Sequence, residues 1–366
     1  MEVWVPHWIA LGGWFLGWIL LWKVPRLPRE APKEPMAPVT IVIPARDEAQ
    51  RLPGLLGPLT QGLPDVAQII VVDDHSTDGT AEIARSYPGV RVVLAPDLPV
   101  GWTGKTWACH TGAKLAPPGD LVFLDADVEL RPEALARALA MRKARGGLVS
   151  IWPYHRVRLA YEHLSAVFTV TTFMGTGAGS LIPPRNPPAS FGPMMVTTTT
   201  DYAQVGGHEA VKGDVVEDLR LGRRYADLGL PVTLLGGGED VAFRMYGEGL
   251  VSLVRGCARS IGRGVFVMSP LRIVAVAVWC TCAHGCFLWA GGFSTIPSYI
   301  LTAMFALQLG VMFRQVGNFG WIDALLYPVL LVFFTLTFIF GLFRVLIARR
   351  VHWRGRSVTM VDGLRR

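Results

Sequence analysis

Charged residues are scarce in this chain. Asp, Glu, Lys and Arg make up 17% of its 366 positions, 51% are hydrophobic, and mean hydropathy is +0.38. That balance is too apolar for an ordinary soluble protein and predicts a membrane protein with a sizeable polar part. Cysteine is also sparse, at five residues, and forms no disulfide framework. Cys280, Cys282 and Cys286 share an apolar run with His284, but the spacing is not that of a zinc site, so they read as packing residues. All five are compatible with a reducing, cytosol-facing location. The net charge is +7, yet the basic residues do not interleave with aromatics along a polar face. Lys23, Arg26, Arg29, Arg349, Arg350, Arg354 and Arg356 instead flank apolar segments. This is membrane-flanking charge, and no nucleic-acid partner is expected.

Residues 8–22 are apolar and Trp-rich, just long enough to cross a bilayer with help from their flanks. They lack a basic leading stretch and a small-residue cleavage site, so a removable signal peptide is not expected. Lys23, Arg26 and Arg29 follow at once and place the downstream chain inside. Pro25, Pro28, Pro32, Pro35 and Pro38 then make a semi-rigid linker. No other repeat or low-complexity tract is present. From residue 39 hydropathy drops and a βα rhythm begins. Strands are expected over 39–43, 68–72, 90–94 and 121–124, with helices up to 59 and over 80–87 and 106–115. Such alternation predicts an α/β domain with a mostly parallel sheet and right-handed crossovers. Residues 197–200 are β-prone and read as one more strand. Residues 160–179 fit equally a core helix or a surface lining a ligand site or the membrane interface.

After residue 264 three apolar stretches follow, 273–293, 299–313 and 324–343. Three full crossings would carry the tail to the far side, yet its Arg349, Arg350, Arg354, Arg356, Arg365 and Arg366 favour the inside. One stretch therefore lies in the interface or re-enters, and the sequence does not choose which. The expected division is an N-terminal anchor over 1–24, a Pro-rich linker over 25–38, an α/β domain over 39–265, membrane helices over 266–347 and a basic tail over 348–366.

The chemistry concentrates at strand ends. Asp120-Leu-Val-Phe-Leu-Asp-Ala-Asp-Val128 drives an apolar run into two carboxylates flanking Ala126. In an open α/β sheet the C-terminal strand ends border the ligand crevice. Asp125 and Asp127 would repel each other unless a cation lay between them, and a hard divalent ion, Mg²⁺ or Mn²⁺, suits oxygen ligands. The plainer alternative is a strand end leading into a turn and a helix cap. Pro44 to Glu48 closes the first strand and Asp73-Asp74 the second, while Asp78-Gly79 suits a helix cap. Gly101-Trp-Thr-Gly-Lys105 precedes a helix, where glycines, a helix N-terminus and the Lys105 charge suit an anion; its spacing is not that of a Walker loop. Glu217-Asp218 opens a later helix, a position that also serves dipole complementation.

Together these stretches resemble the family 2 glycosyltransferases, which have the GT-A fold. The resemblance rests on Val42-Ile-Pro-Ala-Arg-Asp-Glu48, Val71-Val-Asp-Asp-His-Ser-Thr-Asp-Gly-Thr80, Phe123-Leu-Asp-Ala-Asp127 and Val216-Glu-Asp-Leu219 in that order, and covers roughly residues 39–265. Gly101-Trp-Thr-Gly-Lys-Thr-Trp-Ala108, Arg244-Met-Tyr246 and Trp353-Arg-Gly-Arg356 resemble a membrane-bound subgroup that includes hopanoid-associated and carotenoid-acid glycosyltransferases. The resemblance implies nucleoside contacts from Pro44, Ala45, Glu48 and Asp74, diphosphate contacts from Lys105 and Arg244, and a divalent metal on Asp127. Asp125 and Ala126 would contact the nucleotide, and Asp125 would also serve the metal, directly or through a metal-bound water. It makes Asp218, beside Glu217, the base that deprotonates the acceptor, on the face of the sugar opposite the leaving diphosphate. His208, in Gly206-Gly207-His208, is either an acceptor contact or an ordinary polar loop residue, and Glu217 and Tyr246 fall on the acceptor side. Arg356 would fold back to the same site. The full Gln/Arg-x-x-Arg-Trp motif of processive relatives is absent, which argues against a polysaccharide synthase.

The expected protein is a multi-pass inner-membrane transferase with its catalytic domain facing the cytoplasm. It would move a hexose, glucose from UDP-glucose, onto a lipid acceptor by an inverting, metal-dependent reaction. A transporter is the rival from another class, but the apolar stretches offer only His284, Gln308 and Asp323 for a polar path. A nucleotidyltransferase is the other, and it needs neither the late Glu-Asp pair nor lipid-facing helices.

Overall fold

In this computed structural model the chain is described over residues 5–30, 38–62, 67–214, 216–264, 268–288, 296–348, 350–353 and 356–359. In chain order the elements are α1 (Val5–Leu20), β1 (Val39–Ala45), α2 (Leu52–Gly62), β2 (Ala67–Asp73), α3 (Thr80–Arg85), β3 (Val90–Leu94), α4 (Gly104–Lys114) and β4 (Asp120–Leu124). Next come β5 (Val128–Leu130), α5 (Pro132–Arg145), β6 (Leu148–Trp152), β7 (Tyr154–His155), α6 (Ala166–Thr176), β8 (Met194–Thr198), α7 (Thr199–Gln204) and α8 (Glu217–Asp227). The chain ends with β9 (Val232–Gly236), β10 (Val241–Phe243), α9 (Leu250–Gly264), α10 (Pro270–Leu288), α11 (Ile296–Val316), α12 (Trp321–Leu325), α13 (Tyr327–Ala348), β11 (Arg350–Trp353) and β12 (Arg356–Thr359).

Two compact units emerge. One comprises residues 26–154, 186–244 and 348–366; the other comprises 1–25, 155–185 and 245–347. The first holds a seven-stranded sheet in the order β3-β2-β1-β4-β8-β6-β9. Only β8 opposes the rest, pairing antiparallel with both β4 and β6. The sheet is thus mostly parallel and, as such sheets require, covered by helices, with strands that are near-continuous apolar runs. Every residue of β4 is buried. Ile41, Ile43, Val71, Val122 and Leu124 pack under Leu52, Leu55 and Leu59 of α2 and Leu135 of α5. The registers Ala45 with Asp73 and Val42 with Phe123 bring the C-terminal ends of β1, β2 and β4 to one edge. There the apolar runs stop and the acids begin.

Local signals explain two shifted boundaries. α4 starts at Gly104 because Thr103 caps it, its Oγ1 accepting from Thr106 N at 3.2 Å. The expected 197–200 strand ends at Thr198, whose Oγ1 accepts from Asp201 N at 3.0 Å and starts α7 instead.

The second unit contains three helices long and apolar enough to cross a membrane, 270–287, 296–316 and 327–344, and a shorter apolar helix, His7–Leu20. Residues 155–185 and 245–264, which the sequence groups with the α/β domain, belong to this unit. α6 is buried along nearly its whole length, including Val167, Val170, Phe173 and Met174, as a core helix would be. The three polar side chains of the apolar stretches are bonded within the unit. Gln308 accepts from Trp279 Nε1 at 3.0 Å, His284 Nδ1 meets Cys280 O at 2.8 Å, and Asp323 meets His163 Nδ1 at 2.7 Å. Arg349, Arg354, Arg365 and Arg366 lie outside the described residues, as does the Arg356 side chain expected to fold back to the site; only the Arg356 backbone is described, in β12.

Candidate active site

The loops that follow β1 and β2 are stitched together. Asp47 and His75 both take left-handed backbone (φ 53° and 55°), turning each loop sharply after its strand. Asp74 N donates to Ala45 O at 2.8 Å, Asp47 N to Ser76 Oγ at 3.0 Å and Glu48 N to Thr80 Oγ1 at 2.8 Å. Asp78 accepts from Ala49 N at 3.0 Å and Thr80 N at 3.1 Å, so it joins both loops as well as the start of α3. Arg46 Nη1 donates to Asp74 O at 3.0 Å and to its carboxylate at 3.2 Å. Pro44, Ala45, Glu48 and Asp74 therefore form one rigid floor at the sheet edge, with Glu48 held by Arg51 at 2.9 Å.

Lys105, one residue into α4, links the end of β4 to a later part of the chain. Its Nζ lies 2.7 Å from Asp125 Oδ1 and 3.4 Å from Glu217 Oε1. Asp125 is placed by its own N–H, which donates to Pro193 O at 2.9 Å. Asp127, two residues on and past Ala126, lies within electrostatic reach of Glu48 and Arg51 as well as of Asp125 and Lys105.

Glu217 and Asp218 open α8, where carboxylates complement the helix dipole. More specific contacts hold Asp218. Its Oδ2 accepts from Gly192 N at 2.9 Å, and its carbonyl accepts from Ser190 Oγ at 2.5 Å. Gly222, one turn further, has no room for a Cβ beside the Ala189 and Ser190 backbone, so α8 can approach the 189–193 segment closely.

Burial and crowding among these acids set the electrostatics. Burial first, then the neighbouring Asp125 and Glu48, pushes Asp127 up to about 7, against the pull of Arg51 and Lys105. Burial likewise raises Glu217 to about 7, with Lys105 opposing and Asp218 adding to the rise. Asp218 is raised by burial, while Lys105 and the N–H groups of Leu219 and Gly192 pull it down. Burial alone would lower Lys105, but Asp125 and Glu217 lift it well above its usual value, so it stays charged. Among the described residues no three His, Cys, Asp or Glu side chains gather closely enough to hold a metal by themselves. The excess of buried carboxylate around Asp127 still suits a cation. One or two carboxylates supplemented by phosphate oxygens is the usual ligand set for Mg²⁺.

The other expected site residues divide. Arg244 ends at the boundary of the α/β unit, and Tyr246 belongs to the other unit, where its carbonyl accepts from Tyr161 OH at 2.7 Å. His208 is fully buried behind β4: its ring packs on Phe123 and its Nδ1 lies 2.8 Å from Tyr202 OH. Burial depresses it to about 3, so it is neutral. Four residues make contacts that the sequence did not assign, although Arg46 lies within the Pro44 to Glu48 stretch. Ser190 and Gly192 reach Asp218 only through tertiary structure, Arg46 clamps Asp74, and Trp152 at the end of β6 packs on Phe191 and Phe243. The Trp152 indole N–H is buried with no partner among the described residues.

Residues 40–163 match the profile of glycosyl transferase family 2. The chain is 33% identical over 332 residues to 4,4'-diaponeurosporenoate glycosyltransferase of Staphylococcus aureus (strain USA300), covering 88% of each. The enzyme of that name from strain MRSA252 is 33% identical over 335 residues with the same coverage. Among solved structures, the mannosyltransferase PcManGT from Pyrobaculum calidifontis, in complex with GDP-Man and Mn²⁺, superposes with a TM-score of 0.55 at 17% identity. That match covers 92% of this chain and 99% of the other, and shows a shared fold.

Proposed function

The chain belongs to glycosyl transferase family 2, and on that premise we propose that it transfers glucose from UDP-glucose, with inversion, to a polyisoprenoid lipid at the inner membrane. The acceptor class follows the name of the Staphylococcus aureus relatives, whose substrate is a carotenoid acid. It also fits helices apolar enough to hold the enzyme where such a lipid dissolves. The α/β unit would face the cytoplasm, where Lys23, Arg26 and Arg29 hold it.

The joined β1 and β2 loops would receive the nucleoside, with Glu48 and Asp74 accepting from its base and ribose. Lys105 and Arg244 would meet the diphosphate, whose charge grows as the anomeric bond breaks. Asp127, with Asp125, would hold a magnesium or manganese ion. Bound there, it would act as a Lewis acid on the leaving diphosphate. Asp218 takes the acceptor proton. The Gly192 N–H fixes its carboxylate, and burial raises its basicity toward a value suited to general-base work.

One observation carries this reading: a single ammonium, Lys105, bridges the strand-end acid Asp125 and the α8 pair that contains Asp218. Donor-end and base-end groups thus share one buried cluster, as a displacement between them requires. The test is transfer of radiolabel from a panel of sugar nucleotides into membrane lipid, with and without EDTA. Metal-dependent label from UDP-glucose in an apolar lipid is expected. Label found only in water-soluble or polymeric product would overturn it.

A further inference from the structure

Length and composition allow α10, α11 and α13 each to cross a membrane. Contacts within their unit separate them. α1 sets the scale. At one end His7 Nε2 lies 3.3 Å from Ser298 Oγ in the first turn of α11; at the other, Val24 N donates to Gln315 Oε1 in its last turn at 2.8 Å. α1 and α11 therefore run parallel along their full length. α10 runs against them, with Trp279 beside Gly17 and Cys282 beside Gly13.

The end where α1 and α11 finish and α10 begins is marked by residues 155–185. Trp22 N donates to Gly179 O at 2.7 Å, Arg272 Nη2 to Ile182 O at 3.0 Å, and Asn318 exchanges hydrogen bonds with Val157 at 2.7 and 3.0 Å. This is also the end from which the chain leaves for the α/β unit, at residues 25, 155 and 185.

α13 does not continue the pattern. α12 turns in from the marked end, with Asp323 on His163 and Trp321 against Gly310. Tyr327 OH then reaches Ala283 O, 3.5 Å away and partway along α10. A crossing helix would carry Gly341, fourteen residues on, about 21 Å further from the marked end. Instead Gly341 abuts Ala258 of α9, leaving no room for a Cβ, and Phe334 packs edge-on against Phe168 of α6, centroids 4.9 Å apart. Both partners belong to the marked end. Gly177, closing α6, meets Arg272, while Cys257 beside Ala258 contacts Tyr246, which Tyr161 bonds.

We propose that α12 and α13 form a re-entrant arm embedded in one leaflet, and that the chain beyond residue 348 emerges on the side of the α/β unit. The occupant of the arm's outer face is lipid acyl chain: Val329, Leu336, Ile339, Phe340 and Phe343 are exposed there, and Arg344, near the arm's C-terminal end, stacks over Phe340 at 5.7 Å. This also removes the parity conflict, because the basic tail then shares a side with Lys23, Arg26 and Arg29.

Full-length protein carrying a C-terminal epitope tag, in sealed vesicles of both orientations, decides the matter. Trypsin should remove the tag only in vesicles where it also cuts the α/β unit. A membrane-impermeant maleimide should label Ser357→Cys and Ile296→Cys, at the far end of α11, from opposite sides. Loss of the tag in the vesicles that protect the α/β unit, or labelling of both cysteines from one side, would overturn the arm.

Discussion

The ammonium of Lys105 sits 2.7 Å from the carboxylate of Asp125, and the same ammonium lies 3.4 Å from Glu217. It is the cation both acids share, and it opposes the raised values of Asp127, Glu217 and Asp218 alike. Lys105→Met would leave several buried acids without it. Transfer should fall by about 10²–10³-fold, the loss typical of removing one group that stabilises developing charge. Lys105→Arg should recover part of it. Initial rates of labelled-sugar transfer measure both.

A pH dependence of stability follows from the same cluster. Glu217 and Asp127 are held at about 7, well above the ordinary carboxyl value near 4 that they regain on unfolding. A raised folded value means that the protonated form is the favoured one in the native state. The contribution is therefore complete below about pH 4 and is lost as pH climbs through 7. Nucleotide-free protein in detergent should lose on the order of 5 kcal/mol between pH 5 and 8.5, about two pH units from each of the two groups at about 1.4 kcal/mol per unit. Glu217→Gln should flatten the slope of Tm against pH. Transfer, which needs the ionised acids, should rise across the same window. Opposite signs for stability and activity are the expected result.

Asp218→Asn separates binding from chemistry. The asparagine Oδ1 can still accept from Gly192 N, so the loop keeps its geometry while the base is gone. Transfer should drop by about 10²–10⁴-fold, the usual worth of general-base catalysis. UDP affinity by calorimetry should be unchanged. A variant that loses UDP binding equally would give Asp218 a structural role instead.

The cluster of strand-end acids was legible because local sequence builds it. An apolar run that ends in Asp125-Ala-Asp127, and loops that begin at Pro44 and Asp73, need only strand register to meet. Contacts made between separate elements or by backbone atoms were not legible. Gly192 steers Asp218 through an N–H that any residue carries, and Ser190 through a hydroxyl with no motif around it. His208 looked available in a Gly-Gly-His loop, and only the Tyr202 hydroxyl shows it turned inward. The apolar pattern of 160–179 is the same for a helix under a sheet or among membrane helices, so the sequence grouped it with the α/β domain although its contacts lie in the other unit.

The sixteen residues of α1 are fewer than a free-standing span wants, so its place depends on packing. Gly17 faces Trp279 and Gln308 with no space for a side chain, and Gln308 Nε2 donates to Trp14 O at 2.7 Å. Gly12, on the same helix, has nothing near its Cβ position. Gly17→Leu should therefore push α1 off α10 and α11, break the bonds that Gln308 makes, and cost about 1–3 kcal/mol, as overpacking does. Gly12→Leu should be silent. The readout is Tm in detergent together with release of α1 by limited proteolysis at the 25–38 linker. Equal behaviour of the two leucine variants would mean that α1 is only a tether. A loss confined to Gly17→Leu would make it a member of the bundle.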